Sequence, residues 1–189
     1  MRKFTPQEIN VFLLALDKRL TGPVYFETIG STAAMLAFGL NRDTKDFDTI
    51  SSVDAVSQAW DETALQTGLG IPLDKVSVHQ PPYEYASRLK VLVIPGLKKI
   101  KIAVPEKHDW AIMKMARGYD KDLDHIQDVA SRLKFSSDVF LGRFLDEMHM
   151  SHGNKSELIY SFVSTMEALF GSKIAKEMDG VIRADKRWK

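Results

Sequence analysis

The chain contains no cysteine. Disulfides, thiolate metal sites and cysteine nucleophiles are excluded together, and the sequence fits a reducing, cytoplasmic setting. Long apolar runs are also missing. The longest candidate, Val91 to Val104, is broken by Pro95, Gly96 and several lysines, so nothing approaches the roughly 18 residues of a membrane span. Met1 to Pro6 lack the apolar core of a secretion signal. There is little charge bias: 26 Lys and Arg face 25 Asp and Glu, for a net charge of +1. No global field favours nucleic acid, and any such contact requires a local patch. Internal repeats and low-complexity segments are absent. What remains is an ordinary globular composition, 44% hydrophobic and 27% charged over 189 residues, enough for one core and a small helical appendage.

Thr5-Pro6-Gln7-Glu8 has the form of a capping box with proline at the tolerated first position, and Ile9, Phe12, Leu13, Leu16 and Leu20 follow at helical spacing. Val24 to Ile29 reads as a strand, Thr32 to Phe38 as a short helix ending at Gly39, and Lys45 to Ile50 as a second strand. Val53 to Gly68 reads as a helix and Val76 to His79 as a short strand. Two strands around the Pro95-Gly96 turn span Arg88 to Ile94 and Lys98 to Val104. Pro105 to Arg117 and Asp120 to Leu133 then read as helices, the second with Asp120 as N-cap. Three further helices are expected over Ser136 to His149, Asn154 to Phe170 and Ser172 to about Trp188. Strands confined to the first 105 residues and a helical remainder predict an α+β fold, with a core over 1–134 and a helical C-terminal extension over 135–189.

The strongest chemical signal is Lys45-Asp46-Phe47-Asp48-Thr49-Ile50. Side chains alternate along a strand, so Asp46 and Asp48 share one face while Phe47 turns to the core. Two adjacent carboxylates repel each other unless a hard cation lies between them. Alone, such a pair is more often a solvated strand edge. Upstream, Ile29-Gly30-Ser31-Thr32 joins a strand to a helix. Glycine permits close backbone approach there, and a helix N-terminus offers amides to a phosphate. Alone, that segment is an ordinary helix start. Together the two place a phosphate cradle beside a metal pair. Lys114 and Arg117 lie three apart and share a helix face. Asp122 falls in the first turn of the next helix, where a carboxylate suits the helix dipole.

These segments resemble the nucleotidyltransferases of the DNA polymerase beta superfamily, whose motif is hydrophobic-Gly-Gly/Ser, a helix, then Asp-x-Asp. The chain is similar to the AbiEii-like minimal nucleotidyltransferases, some of which are toxins of toxin–antitoxin pairs. The resemblance rests on Gly39 to Asp48, on Pro81-Pro82-Tyr83-Glu84 and on Lys114 to Asp122, within about Ile29 to Val129. It implies a nucleotidyltransferase-like mixed sheet flanked by helices. It further implies Mg²⁺ or Mn²⁺ on Asp46 and Asp48, and triphosphate on Gly30 and Ser31. Lys114, with Arg117, would meet phosphate, and Asp122 would be the late acidic residue. The implied partners are a nucleoside triphosphate, an acceptor hydroxyl (the tRNA 3′ end, a protein or a small molecule) and an antitoxin protein; no membrane is implied.

One departure concerns a third carboxylate, common on a later strand in the superfamily. Lys99 to Val104 offers none, and Glu84, Glu106 and Asp109 stand as substitutes. A tRNA acceptor would require a basic groove, for which Lys98, Lys99, Lys101, Arg117 and Lys121 are candidates. The rival expectation is an inactive module that docks a partner through an exposed stripe of Leu158, Phe162, Met166 and Leu169. The histidines have no zinc-like spacing, and the tryptophans read as packing residues. The basic tail Arg183 to Lys189 reads as a frayed terminus.

Overall fold

A computed structural model describes residues 2–189. The chain divides into two compact units, 1–77 with 89–105, and 78–88 with 106–189.

The first unit contains helices α1 (Pro6–Arg19), α2 (Gly30–Phe38) and α3 (Ser57–Thr67). Its strands are β1 (Val24–Glu27), β2 (Phe47–Thr49), β3 (Leu73–Lys75), β4 (Lys90–Leu92) and β5 (Ile100–Val104). The capping box forms as expected: the Glu8 amide donates to Thr5 Oγ1 at 3.2 Å, and the Thr5 amide to Glu8 Oε2 at 2.9 Å. Ile9, Phe12, Leu13 and Leu16 are buried, and Phe12 packs on Trp60 of α3. β5 lies between parallel β1 and antiparallel β4, while β2 and β3 form a separate parallel pair. An antiparallel bridge between Thr28 and Thr49 ties β1 to β2. Asp17 fixes the entry to β5, since its Oδ1 accepts the amides of Lys98, Lys99 and Ile100 at 3.0, 2.7 and 2.8 Å.

The second unit is helical: α4 (Lys107–Arg117), α5 (Asp120–Ala130), α6 (Ser137–Glu147), α7 (Lys155–Phe170) and α8 (Ser172–Ala184), with 3₁₀ turns at Tyr85–Arg88 and Lys186–Trp188. Ser136 and Asn154 cap α6 and α7 through their side chains. The N-cap of α5 is Tyr119 rather than Asp120, which is the first helical residue. Phe144 stacks on both Phe162 and Trp188, with ring centroids 4.1 and 4.3 Å apart.

The C-terminal tail is therefore docked rather than frayed, because Trp188 is buried and Arg187 pairs with Asp146. The compact units also divide elsewhere than at 134/135. α4 and α5 contact α7, and α4 contacts α6, so both group with the C-terminal helices. The mixed α+β character and helical C-terminal region are as the sequence predicts. None of the described helices is long and apolar enough to cross a membrane.

Candidate active site

The junction of β1 and α2 is built around Gly30. Ile29 is the extended N-cap of α2 and provides no side-chain cap. Gly30 follows at φ +66°, a left-handed conformation suited to glycine. A Cβ at this position would lie 1.9 Å from Asp48 Oδ2 and 2.9 Å from Asp48 Cγ. The carboxylate of Asp48 thus rests directly against the backbone that opens α2. Gly30 and Ser31 form the first turn of this helix, rather than preceding it.

Asp46 and Asp48 flank Phe47, which is buried against Phe26 and Trp60. Threonines hold the segment in place. The hydroxyls of Thr32 and Thr44 donate to the Asp46 carbonyl at 2.9 and 3.1 Å, and Thr49 Oγ1 donates to the Glu27 carbonyl at 2.9 Å. The third acidic residue is Asp74. Parallel pairing of β2 with β3 sets it opposite Asp48, and carboxylate oxygens of Asp46, Asp48 and Asp74 all lie within 4.8 Å of one another. Like charges directly opposite each other on paired strands are destabilising. Oxygens that share a Mg²⁺ shell lie at most about 4.2 Å apart, twice the metal–oxygen distance, so small side-chain rotations would suffice. The donor set is all oxygen, which suits a hard divalent cation.

Asp74 escapes the sequence reading because β3 begins at Leu73, not Val76. The alternation of Leu69, Ile71 and Leu73 is the available signal. Two of the other three candidates for a third carboxylate are engaged in ion pairs. Asp109 is fully buried and binds Arg88 through both oxygens, at 2.8 and 2.9 Å. Glu106 pairs with Arg143 at 2.6 Å and with His108. Burial works to raise the Glu106 pKa, but the His108 and Arg143 hydrogen bonds outweigh it and hold it at about 2. Ser136 donates to His108 Nε2, so the neutral ring carries its proton on Nδ1 and donates to Glu106. Glu84 is exposed, and its amide donates to Glu147.

Lys114, Arg117 and Asp122 come together within the second unit. Lys114 is only 3% exposed, and its Nζ lies 3.0 Å from Asp122 Oδ1 and 3.2 Å from His125 Nδ1. Arg117 grips both oxygens of Asp122, at 2.9 and 2.6 Å, and stacks over Tyr119. Burial lowers the Lys114 pKa against the opposing pull of Asp122. Burial tends to raise that of Asp122, but its two cationic partners bring it below the usual range. The shared face of Lys114 and Arg117 is therefore directed at a carboxylate and is not a solvated stripe. His125, buried beside Lys114, had no signal in its spacing.

The model of the family described as "Nucleotidyltransferase of unknown function (DUF6036)" matches residues 8–169. No curated protein and no solved structure matches significantly. With most of its length matched, from within α1 to near the end of α7, the chain belongs to this nucleotidyltransferase family.

Proposed function

We propose that the protein transfers a nucleoside monophosphate from a nucleoside triphosphate to an acceptor hydroxyl, with Mg²⁺ or Mn²⁺ held by Asp46, Asp48 and Asp74. The observation that carries this reading is the cluster of three carboxylates, one of which, Asp48, rests against the glycine that opens α2. Gly30 and Ser31 present the first turn of that helix, where backbone amides and the helix dipole favour phosphate. Thr32 and Thr44 keep the Asp46 backbone fixed while its carboxylate binds. The bound metal would neutralise charge on the phosphates during in-line displacement. For Lys114, Arg117 and Asp122 we propose a positioning role: Asp122 locks the α4–α5 turn through both cations.

The resemblance to AbiEii-like proteins makes the tRNA 3′ end the first acceptor to try and an antitoxin the first partner. Two of the five cations expected to line a basic groove are occupied, however. Lys99 donates to the Leu20 carbonyl and Arg117 binds Asp122. Two observations count against the inactive-module alternative: Asp74 lies with the acidic pair, and Phe162 and Met166 of the α7 stripe are buried while Leu158 and Leu169 are half-buried.

Calorimetric titration with each of the four nucleoside triphosphates, with and without Mg²⁺, tests the proposal. Magnesium-dependent binding is expected for the wild type and none for the Asp46→Ala, Asp48→Ala variant. Binding to no nucleotide by the folded wild type, or equal binding by the folded variant, would overturn it.

A further inference from the structure

The mixed sheet ends at β4, which pairs with β5 and with no other strand among the described residues. The ladder on the other side of β5 shows which backbone groups of β4 are already paired. The amides of Val24 in β1 and of Thr28 just beyond it donate to the Lys99 and Ala103 carbonyls. Residues 99, 101 and 103 therefore turn their N–H and C=O toward β1. The alternate residues Ile102 and Val104 turn theirs toward β4 and bond to their register partners, Leu92 and Lys90. By the same alternation, Val91 and Val93 turn their N–H and C=O away from β5. Neither bonds to any other segment among the described residues.

The side chains mark the same two residues. Val91 and Val93 are 61% and 95% exposed, while Leu92 and Ile94 are half-buried. An unpaired edge is a template for another strand, and proteins commonly protect it with charge, proline or a covering segment. Here Pro95 falls beyond the edge, and Lys90 shares the Leu92 face. Two β-branched residues of high strand propensity are left on the open row. The sheet order sets this edge three strand spacings, roughly 14 Å, from β2 and its acidic group.

Charge selects the occupant. Residues 89–105 contain four lysines, Lys90, Lys98, Lys99 and Lys101, and no acidic residue, in a chain whose net charge is +1. Lys90, Lys98 and Lys101 are exposed. Continuing the β4–β5 register sets Lys101 across from Val93, on the same face of the sheet. Of the nearby carboxylates, Asp17 already accepts three amides, and Glu27 lies on β1, at the far side of β5. A second copy of this edge would bring the same lysines against these and be repelled, whereas an acidic strand would be attracted. We propose that β4 is a docking edge for an extended acidic segment of a partner protein. The segment adds as a further strand, hydrogen-bonded to Val91 and Val93, with its carboxylates against Lys90 and Lys101. This inference is independent of the nucleotidyl-transfer reading.

The test uses the full chain and short fluorescein-labelled peptides in which valine alternates with glutamate, threonine or lysine. By fluorescence anisotropy the glutamate peptide should bind about tenfold more tightly than the threonine peptide, through a few exposed ion pairs. That preference should shrink as salt rises, and the lysine peptide should not bind. Val93→Pro removes an edge-facing N–H and no bond to β5, a placement that proline tolerates. It should leave the melting temperature nearly unchanged and weaken the glutamate peptide by about tenfold, the loss expected of a hydrogen bond to the edge. N-methylation of the glutamate peptide makes the same deletion from the other side, without altering the protein. Methyl groups on one set of alternate residues should abolish binding, and on the other set should not. No binding of the glutamate peptide, equal binding of all the peptides, or indifference to both methylation patterns would overturn the inference. So would undiminished binding by folded Val93→Pro. A wild-type dimer in sedimentation that Val93→Pro abolishes would also overturn it, by making the occupant a second copy.

Discussion

At residue 30 a methyl group would meet Asp48 Oδ2 at 1.9 Å, on a backbone with φ of +66°. Gly30→Ala therefore combines strain with displacement of a proposed metal ligand. Stability should fall by about 1–3 kcal/mol, read from urea midpoints, and Mg²⁺-nucleotide binding should be lost. Asp74→Asn should behave differently. Removing one of two opposed charges should raise stability by about 0.5 kcal/mol in EDTA, yet weaken Mg²⁺-dependent nucleotide binding at least tenfold. Melting curves with and without metal separate the two effects. Asp46, Asp48, Gly30 and Ser31 are legible in sequence because their chemistry lies within short local motifs. Asp74 is not, because its relation to Asp48 depends on strand register. The pairing of Asp48 with Asp74 joins residues 26 positions apart, and nothing local announces it.

Helices and strands differ in how plainly they are written. α1 and α7 are anticipated because Thr5 and Asn154 cap them through their own side chains, and Ser136 caps α6 in the same way. β2, β3 and β4 have three residues each, too few to show an alternating pattern, and β3 is placed three residues late from sequence. Their stability comes from partners instead. Asp17 on α1 gathers three amides at the start of β5, so Asp17→Ala should cost about 3 kcal/mol through unsatisfied donors. The loss should appear in chemical denaturation and as faster amide exchange in β5. Between α4 and α5, Asp122→Ala would leave Lys114 buried without its countercharge. A loss of about 3–5 kcal/mol is expected. An unchanged urea midpoint with abolished turnover would instead assign this group to phosphate contact.

For the whole molecule, acid should act on both units, through Asp17 in the first, whose pKa burial works to raise but the three amides it accepts bring down, and through Glu106 in the second. The Glu106 pKa of about 2 lies below its unfolded value near 4.5, so the contribution of this carboxylate is complete above that value and is lost as pH falls toward 2. Glu106→Gln should flatten the pH dependence of the urea midpoint between about 4.5 and 2. The partition of the chain into units is the least legible feature, because Val78–Arg88 belongs with residues that follow Glu106. Arg88 reads as a strand residue in sequence, but its guanidinium binds Asp109 and Glu147. This discontinuity bears on the order of synthesis. As the chain emerges from the ribosome, the first unit lacks its central strand β5 until Val104 appears, and Arg88 must wait for Glu147, 59 residues later. During that interval a short arginine-bearing segment, already made, is held between two strands that can already pair. The earlier unit should therefore close around an unfinished loop, leaving a transient window in which Tyr85–Arg88 is open to proteases and chaperones.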